Sequence, residues 1–328
     1  MPSEFDIIRQ YFTPSSLSQT RNDVILGIGD DAAILNIAEH HQHQQLVQSV
    51  DTLVSGVHFP PETFPEDIAY KALAVNLSDM AAMGAEPAWF TLAITLPDDD
   101  EEWLKKFSQS LLSLANKYNV QLIGGDTTHG TLSISITING FVPTGKALTR
   151  NTAKVTDRVF VSGTIGDAAL ALTAWQGQCL LSDDSVNYLN KKLHRPQPQV
   201  ELGLLLREYA SACIDISDGL IADLAHITEN SQLGAKIDFE NIPLSNEFKR
   251  NLTDEALIVP LVLSGGDDYQ LCFTVPENNL LEFEKMISKT NITVSCIGEI
   301  VNEAGVRCLK DNKEINISEM GYQHFSND

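Results

Sequence analysis

From Lys71 to Pro87 the chain reads KALAVNLSDMAAMGAEP, and a helix drawn from Glu66 to Met83 carries apolar or small residues on nearly every side. A helix that is hydrophobic all round belongs in an interior. Asn76, Ser78 and Asp79 interrupt this one in its middle. An ionised carboxylate removed from water must be paired, protonated or bound to a metal. Alone, Asp79 would read as a hydrogen-bonded core residue, but the rest of the chain repeats the feature.

Upstream, residues 4–12 have the spacing of a short amphipathic helix and Val24 to Gly27 that of a short strand. GIGDDAAIL follows, with Ala32 to Ile37 continuing as a strand. HHQHQQ at 40–45 has no fixed helical spacing and reads as a solvated hairpin loop. Gln45 to Val50 is a strand running into Asp51, and TLVSGVHF comes next. Trp89 to Leu96 is a strongly apolar strand. The acidic run Asp98 to Glu102 opens a helix reaching about Tyr118, where negative charge suits the N-terminus. Val120 to Ile123 is a strand ending in GGDTTHG, with Asp126 again at a strand's end, and Thr131 to Val142 alternates like an antiparallel strand.

From Val155 the pattern restarts. DRVFVSGTIGDAALAL predicts a strand, a Gly turn and a helix that continues to about residue 200, broken at Pro196 and Pro198. Glu201 to Ala210 is another helix. Ala212 to Ile216 is a buried strand, and GLIADLAHITENS is a helix. The apolar run Val259 to Ser264 precedes GGDDYQLCFTV, which leads into a strand. A helix over about 277–289, a strand over 292–297 and a short hairpin region complete the pattern. The tail GYQHF lines a pocket or packs the C-terminus. These elements predict an α/β chain with mixed sheets in two domains, 1–150 and 151–328, joined through ALTRNTAK.

Composition narrows the function classes. Of 328 residues, 43% are apolar and 20% charged, as in an ordinary globular protein. The formal charge of -22 argues against nucleic acid, which needs a basic face. It suits a site that gathers divalent cations and, through them, polyphosphates, although a solvated acidic surface gives the same number. MPSEFDIIRQYF has no signal-peptide pattern, and no run approaches the ~18 apolar residues of a membrane span. Cys179, Cys213, Cys272, Cys296 and Cys308 are widely spaced without a CxxC pair and read as reduced core cysteines. The expectation is a cytoplasmic protein.

Two phosphate-binding patterns fail on inspection. Gly27, Gly29 and Ala32 match G-x-G-x-x-A, but Asp30 and Asp31 would repel a pyrophosphate. GFVPTGKA at 140–147 has Ala where a P-loop needs Ser or Thr, and Pro143 removes an N–H from the cradle. What recurs instead is Asp beside Gly, Ser or Thr near the end of an apolar element: GDDA, SVDT, NLSD, GGDTT, DISDG and GGDDY. In DISDG, Asp218 could be an N-cap, a role Asp215 cannot fill. Short oxygen ligands without Glu suit several Mg²⁺ ions, which can clamp a polyphosphate. The pattern points to nucleotide-dependent phosphoryl transfer without a P-loop.

GIGDDAA, DTLVSGVHF, YKALAVNLSDMAAMGAEP, LIGGDTT, ALTR, DISDGL and SGGDDY, in that order, resemble the thiamine-monophosphate kinases of the aminoimidazole ribonucleotide synthetase-like superfamily. The resemblance covers nearly the whole chain. It implies ATP-dependent phosphorylation of thiamine monophosphate to thiamine diphosphate, with Mg²⁺ and often K⁺. It implies a homodimer whose N-terminal sheets join into a barrel, and a C-terminal α/β sandwich that completes the active site. Asp31, Asp51, Asp79, Asp126, Asp215 and Asp218 would bind Mg²⁺, with Asp30 a weaker candidate. Ser49 and Val50 would add contacts to metal; Gly125, Asp126, Arg150 and Ser217 would meet ATP; His58, Asp267 and Tyr322 would meet the thiamine phosphate. Two positions depart from the family: Val50 stands where Thr is expected, leaving a backbone carbonyl, and Asp267 stands where Glu is usual, one methylene shorter.

Rival members fit less well. Selenophosphate synthetase carries a reactive Cys or selenocysteine near its N-terminus, whereas the first Cys here is Cys179. The hydrogenase-maturation protein ends in a functional Cys, whereas this chain ends FSND. The purine enzyme differs in motif wording. A non-catalytic Ca²⁺ binder would cluster its ligands in one loop, whereas these Asp span 30 to 268.

Overall fold

A computed structural model of the chain describes residues 4–13, 21–28, 32–252, 254–315 and 321–322. Contacts divide it into two compact units, Met1–Met80 with Ala85–Gly145, and Ala81–Gly84 with Lys146–Asp328.

The first unit opens with helix α1 (Glu4–Ile7), continued as a π turn over Ile8–Phe12. Strands β1 (Val24–Leu26) and β2 (Ile34–Leu35) pair antiparallel. The strand expected over Ala32 to Ile37 stops early, because helix α2 takes over at Ile37–His40. Strands β3 (Gln44–Val54), β4 (Glu86–Leu96), β5 (Gln121–His129) and β6 (Ser133–Pro143) form a sheet in the order β3-β6-β4-β5. Only the β4–β5 pair is parallel. Helices α3 (Pro65–Ala82) and α4 (Glu101–Lys117) belong to the same unit. The Asp100 side chain accepts from the N–H groups of Glu102 and Trp103, so the acidic run is a helix cap, as its position suggested.

Side-chain alternation gives this sheet two unlike faces. Ile134, Ile136 and Ile138 on β6 and Phe90, Leu92 and Ile94 on β4 are buried on one of them. Each is worth about 1.5–3 kcal/mol of transfer free energy. On the other face Thr52, Ser135 and Ala93 lie in register and stay wholly or partly exposed.

HHQHQQ is not a solvated loop throughout. The His41 ring stacks on Phe141 with centroids 3.4 Å apart, and its Nε2 lies 2.7 Å from Asp23 Oδ2. Arg21 completes the cluster with an ion pair to Asp23 at 2.9 Å.

The second unit is built on a mixed sheet. Its strands are β7 (Arg158–Ser162), β8 (Ala212–Asp215), β9 (Gly234–Asp238), β10 (Leu271–Val275), β11 (Val294–Val301), β12 (Gly305–Lys310) and β13 (Lys313–Glu314). Among the described residues their order is β13-β12-β9-β11-β7-β10-β8, with β9 and β12 parallel and the other pairs antiparallel. The helix expected to run to residue 200 is two helices, α5 (Asp167–Trp175) and α6 (Asp183–His194), separated by GQCLLS and its positive-φ Gly177. Helix α7 (Val200–Leu206) ends sooner than expected. Helix α8 (Leu220–Ser231) follows β8, and α9 (Asn246–Asn251), α10 (Glu255–Leu263) and α11 (Leu280–Ile287) complete the set. The apolar run before GGDDY is therefore the end of a helix.

All five cysteines are free, and Cys213, Cys272 and Cys308 are buried in strands. No described helix is long and apolar enough to cross a membrane.

Candidate active site

In the first unit the acidic residues of β3 and α3 meet. Ser49 Oγ donates a very short hydrogen bond to Asp79 Oδ2, which fixes the direction of the Ser49 side chain. Alternation then puts Asp51 on the same face of β3 and Val50 on the opposite one, where it is 60% exposed. The Val50 side chain thus turns away from Asp79, leaving its backbone as the available donor. Asp79 is half-buried, not sealed in the interior as its helix alone suggested.

Asp51 and Asp126 are not at strand ends. Asp51 pairs with Ile136 inside β3, and Asp126 pairs with Ala93 inside β5. Because Ala93 lies opposite Ser135, and Ser135 opposite Thr52, Asp126 sits on the other face of the sheet from Asp51. The sheet thus gathers Ser49, Asp51 and Asp79 on one face and leaves Asp126 apart. Asp30 and Asp31 lie outside the described residues.

Gly125, beside Asp126, is required by packing. A Cβ built there would lie 1.8 Å from the Leu92 carbonyl oxygen, a backbone atom of the neighbouring strand. We expect Gly125→Ala to lower unfolding free energy by at least about 2 kcal/mol in urea titrations, since the strand must shift to admit a methyl group.

His58 caps a turn. Its Nδ1 accepts the Val54 N–H at 3.0 Å, and its carbonyl accepts from the buried Lys71 Nζ at 3.2 Å. These contacts orient the ring.

In the second unit, three segments distant in sequence converge. Strand β8 ends at Asp215, which is 5% exposed, and the chain turns through Ser217, Asp218 and Gly219 into α8. Gly219, not Asp218, is the N-cap residue, with φ +132. The SGGDDY loop lies against this turn: the Asp267 N–H donates to the Ser217 carbonyl at 2.9 Å and the Tyr269 N–H to the Ile216 carbonyl at 2.8 Å. The tail joins through the Tyr322 N–H, which donates to the Asp218 carbonyl at 3.0 Å. Asp215, Ser217, Asp218, Asp267 and Tyr322 are thereby brought together. Both Asp267 and Tyr269 have positive φ, held on either side of a buried Asp268 whose carboxylate accepts the Gly166 N–H at 2.8 Å. Arg150 is exposed, and its carbonyl accepts from the Ser231 hydroxyl at 3.1 Å.

One residue of this cluster escaped the sequence reading. Asp223, on the first turn of α8 and 2% exposed, accepts the N–H groups of Ser217, Asp218 and Gly219 on its Oδ2, at 3.0, 3.1 and 3.2 Å. Its signal was a carboxylate between Ile221 and Leu224 on an otherwise apolar stripe, four positions after a strand-to-helix Gly. Burial, and then the like charges of Asp215 and Asp218, push its pKa up to about 7 despite the backbone donors.

Among the described residues, no three His, Cys, Asp or Glu side chains are close enough together to hold a metal by themselves. Mg²⁺ does not require that, since it usually binds through one or two carboxylates plus phosphate and water. The like charges of Asp215 and Asp218 beside the buried Asp223 suit a cation at this turn. At Asp223 the folded, metal-free protein holds more proton than the unfolded chain between the ordinary value of 3.8 and about 7. Asp223 therefore makes stability fall as pH rises through that window. Melting of chelator-treated protein across pH 4–7, with and without added Mg²⁺, checks this, and Mg²⁺ should flatten the fall.

The two units match known proteins in the same order. Residues 29–142 match the family AIR synthase related protein, N-terminal domain, and residues 154–310 its C-terminal domain. The fold and its acidic turns thus place the chain in the AIR synthase related class. Thiamine-monophosphate kinase of Escherichia coli strain K12 is 48% identical over 325 residues, 98% of each chain. The crystal structure of thiamine-monophosphate kinase from Stenotrophomonas maltophilia K279a is 42% identical, with a TM-score of 0.85 over 95% of this chain and 98% of that one. AaThiL complexed with AMPPCP and TMP is 30% identical, with a TM-score of 0.76 over 91% and 92%. Within that class, the chain belongs to the thiamine-monophosphate kinase family.

Proposed function

We infer that this chain transfers the γ-phosphoryl group of ATP to thiamine monophosphate, forming thiamine diphosphate and ADP, the last step of thiamine diphosphate biosynthesis. The observation that carries this reading is whole-length similarity to thiamine-monophosphate kinases, including one complexed with AMPPCP and TMP. The acidic turns of both units support it.

In this reading Asp31, Asp51, Asp79, Asp126, Asp215 and Asp218 hold Mg²⁺, with Ser49 and the Val50 backbone assisting. When bound, Mg²⁺ offsets the charge on the polyphosphate and on the transferring group. Gly125, Asp126, Arg150 and Ser217 meet ATP; His58, Asp267 and Tyr322 meet thiamine monophosphate. The nucleophile is the substrate's own phosphate oxygen, already ionised at neutral pH, so no side chain needs to remove a proton. Catalysis is positioning plus charge neutralisation, with direct in-line transfer. A rapid-quench experiment with γ-labelled ATP tests this: label should pass to thiamine diphosphate alone, and label on an Asp or His of the protein would contradict it.

We also propose that the chain works as a homodimer through the exposed sheet face of the first unit, where Leu46 and Val50 are 50% and 60% exposed. Light scattering should give twice the 36.0 kDa chain mass. Activity assays with and without K⁺ decide whether a monovalent cation is needed.

A further inference from the structure

Asp223 is not itself among the residues assigned above to ATP, thiamine monophosphate or metal, yet its Oδ2 gathers three consecutive backbone N–H groups, of Ser217, Asp218 and Gly219, at 3.0–3.2 Å. We propose that Asp223 is a positioning residue that sets the working shape of the acidic turn and, through it, of the two segments docked on that turn. This inference rests on the functional reading above.

Backbone direction links Asp223 to both segments. A peptide unit places its N–H and C=O on opposite sides. With the N–H groups of residues 217–219 drawn inward to Asp223, the carbonyls are left to the neighbouring segments. Ser217 and Ile216 carbonyls accept from Asp267 and Tyr269, and the Asp218 carbonyl accepts from Tyr322. The segments carrying Asp267 and Tyr322 thus lean on a turn whose other side Asp223 holds. Neighbouring contacts leave that turn little alternative. A Cβ on Gly219 would lie 2.8 Å from the Ser264 carbonyl carbon and oxygen, and one on Gly266 would lie 2.3 Å from the Ser217 carbonyl oxygen. Asp223 itself is anchored by its N–H, which donates to the Gly219 carbonyl at 3.0 Å in the first turn of α8. A buried carboxylate that accepts several N–H groups is worth most where its partners have no other acceptor.

Two readouts test the proposal. In Asp223→Ala, amide hydrogen exchange at Ser217, Asp218 and Gly219 should accelerate at least about tenfold, while the amides of α8 stay protected. Well below the melting temperature, kcat/KM for thiamine monophosphate should fall about 100-fold, because misplaced contacts cost rate even in folded protein. Asp223→Asn keeps an acceptor oxygen at the same reach and should recover most of both losses. Unchanged exchange at 217–219 in Asp223→Ala overturns the proposal. So does an Asn variant as impaired as the Ala variant, which would assign the effect to charge. If Asp223→Ala does not fold, Asp223→Ser, whose hydroxyl is too short to serve all three donors, replaces it with the same expected losses. If the wild-type chain makes no thiamine diphosphate, the functional reading fails, and the exchange measurement still decides what Asp223 holds.

Discussion

Asp79→Asn is expected to lower kcat by at least about a thousandfold and to leave melting within a few degrees of wild type. Both halves follow from its surroundings. Asn has the same size and keeps an oxygen that can accept the Ser49 hydroxyl, so the bond between β3 and α3 survives. The helix around it is held by buried Leu73, Leu77 and Met80, which the change does not touch. What disappears is one negative charge on a half-buried side chain bonded to the Asp51 face of β3 through Ser49, and the proposed Mg²⁺ site needs that charge. Steady-state rates and circular-dichroism melting read the two halves separately. Near-normal turnover would mean that α3 supplies no metal ligand.

Asp215→Asn should also cost activity heavily, without costing stability. Asp215 is 5% exposed at the end of β8, and its charge helps to push the Asp223 carboxyl up. Removing it relieves like-charge repulsion in metal-free protein, so melting should stay level or rise while kcat falls by about a hundredfold or more. Restraint of this kind, in which a site is kept less stable than it could be, marks functional carboxylates. A variant that melts lower yet turns over normally would make Asp215 a structural residue.

The legible parts of this molecule are those where local chemistry agrees with the fold. Helix α3 could be read almost to its ends because it is apolar on every side, and α4 because an acidic N-terminal run precedes an amphipathic stretch. The DISDG and SGGDDY turns announced themselves through Gly beside Asp. Other features depend on partners that the local pattern does not contain. Strands β3 and β5 run on through Asp51 and Asp126 because each is an edge strand whose polar residues are tolerated on a partly open sheet. The gap between α5 and α6 carries no proline to mark it. His41 is ordered by Phe141 and Asp23, both far from it in sequence. Asp223 looked like an ordinary helix residue because its three donors come from the turn before it.

Phosphoryl transfer to thiamine monophosphate can be followed by ³¹P NMR of the purified protein with ATP, Mg²⁺ and thiamine monophosphate. Thiamine diphosphate resonances should grow in step with ADP, and only when all three components are present. ATP left intact, or ADP and free phosphate formed without thiamine diphosphate, would contradict the assignment of substrate and reaction.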